Sequence, residues 1–83
     1  MSARSSAEIA RGMRLAGWSP VELWWAALAI GGRFTPSEIE LIAAGAVAAA
    51  ASDHDILAAT LNDHFLDHGR DHPVRYWDDL PSR

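Results

Sequence analysis

Apolar residues recur at helical spacing in four stretches of the chain, and each stretch is bordered by residues typical of helix ends. The pattern predicts four short helices, which cover about residues 6–16, 20–31, 36–50 and 53–68. No run of β-branched residues alternates with polar ones between turn residues, so the sequence predicts no strand. The expected fold is all-α, a compact array of four helices that pack in chain order.

The second and third predicted helices open with the same kind of motif, Ser-Pro-Val-Glu at residues 19–22 and Thr-Pro-Ser-Glu at residues 35–38. In each motif the first hydroxyl can accept a hydrogen bond from the glutamate N–H, and the glutamate side chain can bond back. Proline fits the first position of a helix. The third helix is then expected to carry an alanine-rich apolar face as far as residue 50, with Gly45 inside it.

The second helix is apolar over so wide an arc that it needs cover on at least two sides. We therefore expect it to be the central helix, either within the chain or once a partner binds. At 100° per residue, Trp24 falls near the middle of the arc and Trp25 at its edge. Trp24 is expected in the core, and Trp18 is expected to pack against the start of the helix. For Trp25 two interpretations stay open, a core position or, together with Trp18 or Trp77, a subunit or partner interface.

The residues after the fourth helix contain two prolines and no sustained helical period. Since 83 residues suffice for one core but not for two, the sequence predicts a single helical domain over residues 1–69. Residues 70–83 are expected to form an extended C-terminal tail that docks on the helices through its apolar side chains. The same tail adds Tyr76 and Trp77 to Trp18 and Trp25 as candidate partner-binding residues.

Composition narrows the class of protein further. Apolar residues make up 49% of the chain, but many of them are alanine, so a partner subunit is expected to complete a thin core. The absence of cysteine excludes disulfides, thiolate zinc sites and cysteine nucleophiles. Because no signal peptide or membrane-spanning run is recognisable, we expect a cytoplasmic protein without a membrane partner. Abundant alanine, arginine and glycine without lysine or glutamine are typical of a high-G+C bacterial or phage gene.

Catalytic patterns are weak in this sequence. The paired aspartates fall at a helix start, on a solvated helix face and in the tail, where nothing indicates a cleft that would separate their pKa values. There is no nucleophile elbow and no glycine-rich loop before a helix. We therefore expect neither an enzyme nor a cofactor.

Two binding alternatives depend on charged or histidine residues. His64 and His68 lie one helical turn apart, a spacing that can hold zinc or nickel. Arg4, Arg11 and Arg14 form a basic patch on a chain of net charge −4, and the adjoining segment loosely resembles a helix-turn-helix. A recognition helix there would present valine, glutamate and tryptophan, without arginine, lysine, asparagine or glutamine to read base edges.

The function predicted from the sequence is therefore a small, non-enzymatic protein–protein interaction or regulatory module. It is expected to act as a homodimer or as an accessory subunit that binds another protein. The first alternative is a helix-turn-helix-like DNA-binding regulator that contacts phosphate through its basic patch. The second is a metal-binding domain that uses the two histidines.

Overall fold

A computed structural model describes residues 3–81 of the chain. The helices are α1 (Ala3–Ala16), α2 (Pro20–Leu28), α3 (Pro36–Ala43) and α4 (Ala51–Asp67), followed by a 3-10 turn at Trp77–Asp79. Residues 3–81 contain no strand, so the predicted all-α, four-helix fold is confirmed. None of the helices in this part of the chain is long and apolar enough to cross a membrane.

Both predicted capping boxes form. The backbone N–H of Glu22 donates to Ser19 Oγ over 3.3 Å, and the Ser19 N–H donates to Glu22 Oε1 over 2.8 Å. Thr35 and Glu38 repeat the arrangement at 3.1 and 2.9 Å. α2 and α3 therefore begin at their prolines because the preceding cap satisfies N–H groups that have no partner within the helix.

The predicted end of the third helix at residue 50 is wrong, because α3 ends at Ala43. Gly45 has a φ of +79°, the left-handed conformation that terminates helices. The N–H of Ala46 donates to the Leu41 carbonyl over 2.9 Å, which closes the last turn. Residues 44–50 form a connection to α4 instead of a helical face. α2 likewise ends at Leu28 rather than at residue 31, and Gly31 follows with a φ of +93°.

α4 is the central helix of the chain. It packs against α1, α2 and the 3-10 turn, while α3 packs against α1 and α2. The core is formed by the following buried apolar residues: Ile9, Met13, Leu23, Ala27, Phe34, Ile39, Ile42, Ala49, Leu57, Ala58, Leu61, Phe65 and Val74. α2 contributes only Leu23 and Ala27 to this core. The expectation that α2 is central within the chain is therefore wrong. The other expectation, that α2 becomes central once a partner binds, stays a prediction.

The segment after α4 returns across the first helix and is held by paired hydrogen bonds. Asn62 Nδ2 donates to the Val74 carbonyl and Asn62 Oδ1 accepts from the Val74 N–H, each over 2.9 Å. The Val74 side chain is buried above Gly12, where a Cβ atom would lie 2.8 Å from Val74 Cγ2 and 2.9 Å from Leu61 Cδ1. Glycine at position 12 therefore allows α1, α4 and the C-terminal segment to meet.

Candidate partner-binding site

α2 carries an apolar stripe that the rest of residues 3–81 leaves uncovered. Val21, Trp25 and Leu28 follow one another at i, i+4 and i+7, and their exposed fractions are 55%, 71% and 45%. Residues at this spacing share one face of a helix. Because Leu23 and Ala27 supply the inward face, the wide apolar arc of α2 is only partly used by the fold.

This stripe borders a concave surface that we call the tryptophan groove. The groove has a volume of about 400 Å³. Its lining residues are Trp18, Val21, Glu22, Trp24, Trp25 and Ala26. Trp24 is half-buried against the core and its ring centroid lies 6.0 Å from that of Trp25. Trp24, which was expected in the core, therefore contributes to the groove as well.

Trp18 links the tryptophan groove to a second depression between α2 and α4. Its ring is half-buried and lies 4.5 Å from the His64 ring, centroid to centroid. The second depression, of about 310 Å³, also has Trp18 and Ala26 in its wall, and the two therefore adjoin. Its other lining residues are Ala29, Ile30, Thr60, Asp63, His64 and Asp67. Trp18 therefore packs against His64 of α4 and is not limited to contacts with α2.

The rim of this continuous surface is acidic. Glu22 lines the tryptophan groove, and Asp63 and Asp67 line the second depression. No arginine is among the described residues that line either one. The surface therefore combines the exposed indole ring of Trp25 and the half-buried rings of Trp18 and Trp24 with negative charge.

Tyr76 and Trp77 lie away from the tryptophan groove. The Trp77 ring contacts His54 at a centroid distance of 5.9 Å, and the Trp77 backbone N–H donates to Asp55 Oδ1 over 2.8 Å. His54 lies ten residues before His64, which is about 15 Å along α4. Both tail aromatics are half-buried, and Tyr76 packs on the core. Of the predicted partner-binding residues, the structure brings together Trp18 and Trp25 only.

The two histidines of the metal alternative are neighbours but are occupied by other contacts. The rings of His64 and His68 lie 4.4 Å apart, and His68 Nδ1 is 2.8 Å from the His64 carbonyl oxygen. His64 also packs against Trp18 and Phe65. Within residues 3–81, no group of three or more histidine or carboxylate side chains is placed to hold a metal. The metal hypothesis stays a prediction that depends on these two residues.

The basic patch predicted in α1 gains a fourth arginine from the C-terminal segment. Arg4, Arg11 and Arg14 line a groove of about 480 Å³ together with Arg75. The remaining lining residues of this arginine groove are Ala7, Glu8, Leu80 and Pro81. Arg75 carries no local sequence signal, since only the return of the chain over α1 brings it there.

Glu8 connects the two segments that form the arginine groove. Its Oε2 accepts from Arg11 Nη2 and from the Arg75 backbone N–H, both over 2.7 Å, and the side chain is only 6% exposed. Burial raises the pKa of the Glu8 carboxyl, but these two hydrogen bonds and the nearby positive charges lower it by more, to below its usual value of 4.5. The same partnership raises the pKa of the Arg11 guanidinium, against its burial.

A serine–histidine pair, which sequence reasoning missed, lies in the interior. Ser5 Oγ is 2.6 Å from His54 Nδ1, and His54 Nε2 is 2.9 Å from the Arg75 carbonyl oxygen. Because a carbonyl can only accept, His54 Nε2 carries a proton and donates to the Arg75 carbonyl. Both side chains are buried, at 1% and 0% exposure, so no substrate reaches the pair. Its role is to tie α1, α4 and the C-terminal segment together.

Comparison of the chain with known protein families, with curated proteins and with solved structures found no significant match. Its class is therefore defined by the fold and the surface alone: a small all-α protein with an exposed aromatic groove. Any functional proposal has to come from the chemistry of that groove and of the arginine groove.

Proposed function

We propose that this chain is a small, non-enzymatic protein-interaction module that acts as an accessory or regulatory subunit. Its partner covers the tryptophan groove. The observation that carries the proposal is the exposure of Trp25, at 71%, within the apolar stripe of α2. Single exposed apolar residues are ordinary on protein surfaces, but a continuous aromatic patch indicates an interaction site. Tryptophan is among the residues that contribute most to protein interfaces.

The occupant that fits this surface is an amphipathic helical segment of another protein. Its apolar side chains would pack against Trp18 and Trp25, since grooves of this kind bind helices through residues at i, i+3, i+4 and i+7. Lysine or arginine side chains beside that apolar face would meet Glu22, Asp63 and Asp67 on the rim. Cations also interact favourably with exposed indole rings.

Charge favours such a basic partner over a second copy of the chain. In a two-fold symmetric dimer the same patch meets itself. The acidic rims would then face each other, and like charges across an interface oppose association. The homodimer expected from the sequence stays a separate outcome that the same experiment detects.

The test uses two helical peptides with the same leucine face, one with lysine and one with glutamate at the flanking positions. Isothermal titration is expected to show binding of the lysine peptide alone. Trp25→Ala should weaken this binding by about 2 kcal/mol, which is the scale of a central interface tryptophan. Leu66→Ala removes an exposed apolar residue that lines neither the tryptophan groove nor the second depression. It serves as the control and should have no effect.

Sedimentation of the chain alone over a range of concentrations completes the experiment. If the wild-type chain self-associates and Trp25→Ala abolishes the self-association, the groove is the interface of a homodimer and not the site of a different protein. A persistent monomer that binds neither peptide would overturn the proposal. Equal weakening by Leu66→Ala would also count against it, because binding would then not depend on the groove.

A further inference from the structure

The arginine groove concentrates positive charge on an acidic protein. The chain has a net charge of −4 and seven arginines without lysine, and four of the six arginines that the structure describes line this one groove. They come from two segments, α1 and the C-terminal segment, that are far apart in sequence. The three arginines of α1 could simply lie on a solvated helix face. That explanation does not account for Arg75, which comes from another segment and lines the same groove.

The only carboxylate among the described lining residues does not compete for a ligand. Both oxygens of Glu8 already accept hydrogen bonds from Arg11, over 3.3 and 2.7 Å, and Oε2 also binds the Arg75 N–H. Arg11 is held further by the Pro73 carbonyl at 2.6 Å. Glu8 and Arg11 therefore form a fixed support, and the side chains of Arg4, Arg14 and Arg75 remain to face an anion.

The backbone around Arg75 is also fixed. Its N–H donates to Glu8 and its carbonyl accepts from His54 Nε2, while Asn62 holds Val74 on both sides. A cationic side chain on a fixed backbone loses less conformational entropy on binding than one on a free tail. The backbone of the groove is therefore already ordered in the absence of a ligand.

We infer that the arginine groove binds a small molecule that carries two or more phosphate groups beside an apolar or planar moiety. Guanidinium groups match phosphate oxygens in paired hydrogen bonds, and three of them call for several negative charges. Ala7, Leu80 and Pro81 supply an apolar wall for the remainder of the ligand. The volume of about 480 Å³ lies within the range of small-molecule sites. This inference does not depend on the proposed partner-binding function.

A nucleic acid fits the same residues less well. An extended backbone would pass beyond the groove, and Asp78 and Asp79, which directly precede the lining residue Leu80 in the chain, would oppose it. Long nucleic-acid contacts usually neutralise many phosphates, and α2 presents no arginine, lysine, asparagine or glutamine to read bases. A compact phosphate ligand can stay within the groove.

The test is isothermal titration of the full chain at low salt with ADP, pyrophosphate, an oligo-aspartate peptide and a short single-stranded oligonucleotide. ADP is expected to bind more tightly than pyrophosphate because it also covers the apolar wall. Arg4→Ala, Arg14→Ala and Arg75→Ala should each weaken ADP binding about tenfold, as expected for the loss of one charge-assisted contact. Arg33→Ala, an exposed arginine outside the groove, is the matched control and should change nothing.

Three results would overturn the inference. The first is no binding of ADP or pyrophosphate by a folded wild-type chain. The second is equal weakening by Arg33→Ala, which would show diffuse attraction rather than a site. The third is tighter binding of oligo-aspartate or of the oligonucleotide than of ADP, which would assign the groove to an acidic peptide or to a nucleic acid.

Discussion

α2 is more apolar than α4, yet it buries fewer of its side chains. α2 is almost wholly apolar, yet it buries only Leu23 and Ala27. α4 includes histidine, asparagine, threonine and several aspartates, yet it buries seven residues, three of them polar. The buried polar groups are satisfied by specific partners, such as Asn62 with the Val74 backbone.

The difference arises from what covers each helix. α4 is surrounded by α1, α2 and the C-terminal segment, whereas α2 meets α3 and α4 and buries only Leu23 and Ala27. Apolar content shows how much cover a helix needs, but the topology decides how much the chain provides. The uncovered remainder on α2 is therefore the place where we propose that another molecule binds.

Shortening Leu61 in α4 should have the largest effect on stability. Leu61 is fully buried, so Leu61→Ala leaves a cavity and should lower the free energy of unfolding by about 3 kcal/mol. Urea unfolding followed by circular dichroism measures the change. Leu66→Ala in the same helix, at a residue that is 53% exposed, should cost less than about 0.5 kcal/mol. Similar losses in both variants would contradict the central position of α4.

Removing the Asn62 side chain should cost somewhat less. Asn62→Ala leaves the N–H and carbonyl of Val74 buried without partners, which should lower the free energy of unfolding by about 2 kcal/mol. Amide hydrogen exchange at Val74 should accelerate more than the global loss explains. Asp63→Ala, a change at an exposed neighbour, is the control. Unchanged exchange at Val74 would show that the segment is held by other contacts.

A methyl group at Gly12 tests how closely α1, α4 and the C-terminal segment pack. Gly12→Ala should lower the free energy of unfolding by about 1 kcal/mol, because the crowding against Val74 and Leu61 exceeds the gain in helix propensity. Combining it with Val74→Ala should remove the crowding against Val74 and leave only that against Leu61, so the alanine at position 12 then costs less than it does alone. A double-mutant cycle in urea measures this coupling. Additive effects would contradict the contact.

Acidification should weaken the junction around Glu8. Since the pKa of Glu8 is lowered in the folded state, its contribution is complete above the unfolded value of 4.5 and is lost as the pH falls through the lower folded value. Thermal unfolding of the wild type should therefore be more sensitive to acid than that of Glu8→Gln. At neutral pH the variant should be the less stable of the two. Parallel pH profiles would contradict the assignment.

Truncating Trp25 should have the smallest effect, despite the size of its side chain. Because 71% of the residue is exposed, Trp25→Ala should change the free energy of unfolding by less than about 0.5 kcal/mol. Urea unfolding under the same conditions as for Leu61→Ala allows the direct comparison. A loss as large as that of Leu61→Ala would show that α2 depends on this ring for its own packing, and would remove the contrast between the two helices.

Local signals in the sequence predicted the starts of α2 and α3, whereas α1 and α4 extend to Ala3 and Ala51, ahead of the predicted starts at residues 6 and 53. Each capping box lies within four consecutive residues, so Ser19 and Thr35 mark α2 and α3 without reference to the rest of the fold. The end of α3 was missed because Gly45 is compatible with two outcomes, a tolerated interior residue or a left-handed terminator. The chain adopts the second.

The candidate sites were predictable only where they depend on one helix. Helical angles separated Trp25 from Trp24 and placed Trp25 at the edge of the apolar arc, where it is now found exposed. Arg75 and Trp77 could not be placed, because their positions depend on hydrogen bonds to Glu8 and Asp55 across long separations. No periodic pattern encodes such contacts.

The hydrogen bond between Glu8 and the Arg75 N–H joins residues 67 positions apart, and this has a kinetic consequence. Closing so large a loop costs chain entropy before any contact repays it, so the junction is expected to form late in folding. α2, α3 and α4 can meet through shorter connections. Weakening the junction should therefore accelerate unfolding while leaving the refolding rate nearly unchanged. Both ends of the described chain are then released in the same step, and the arginine groove opens with them.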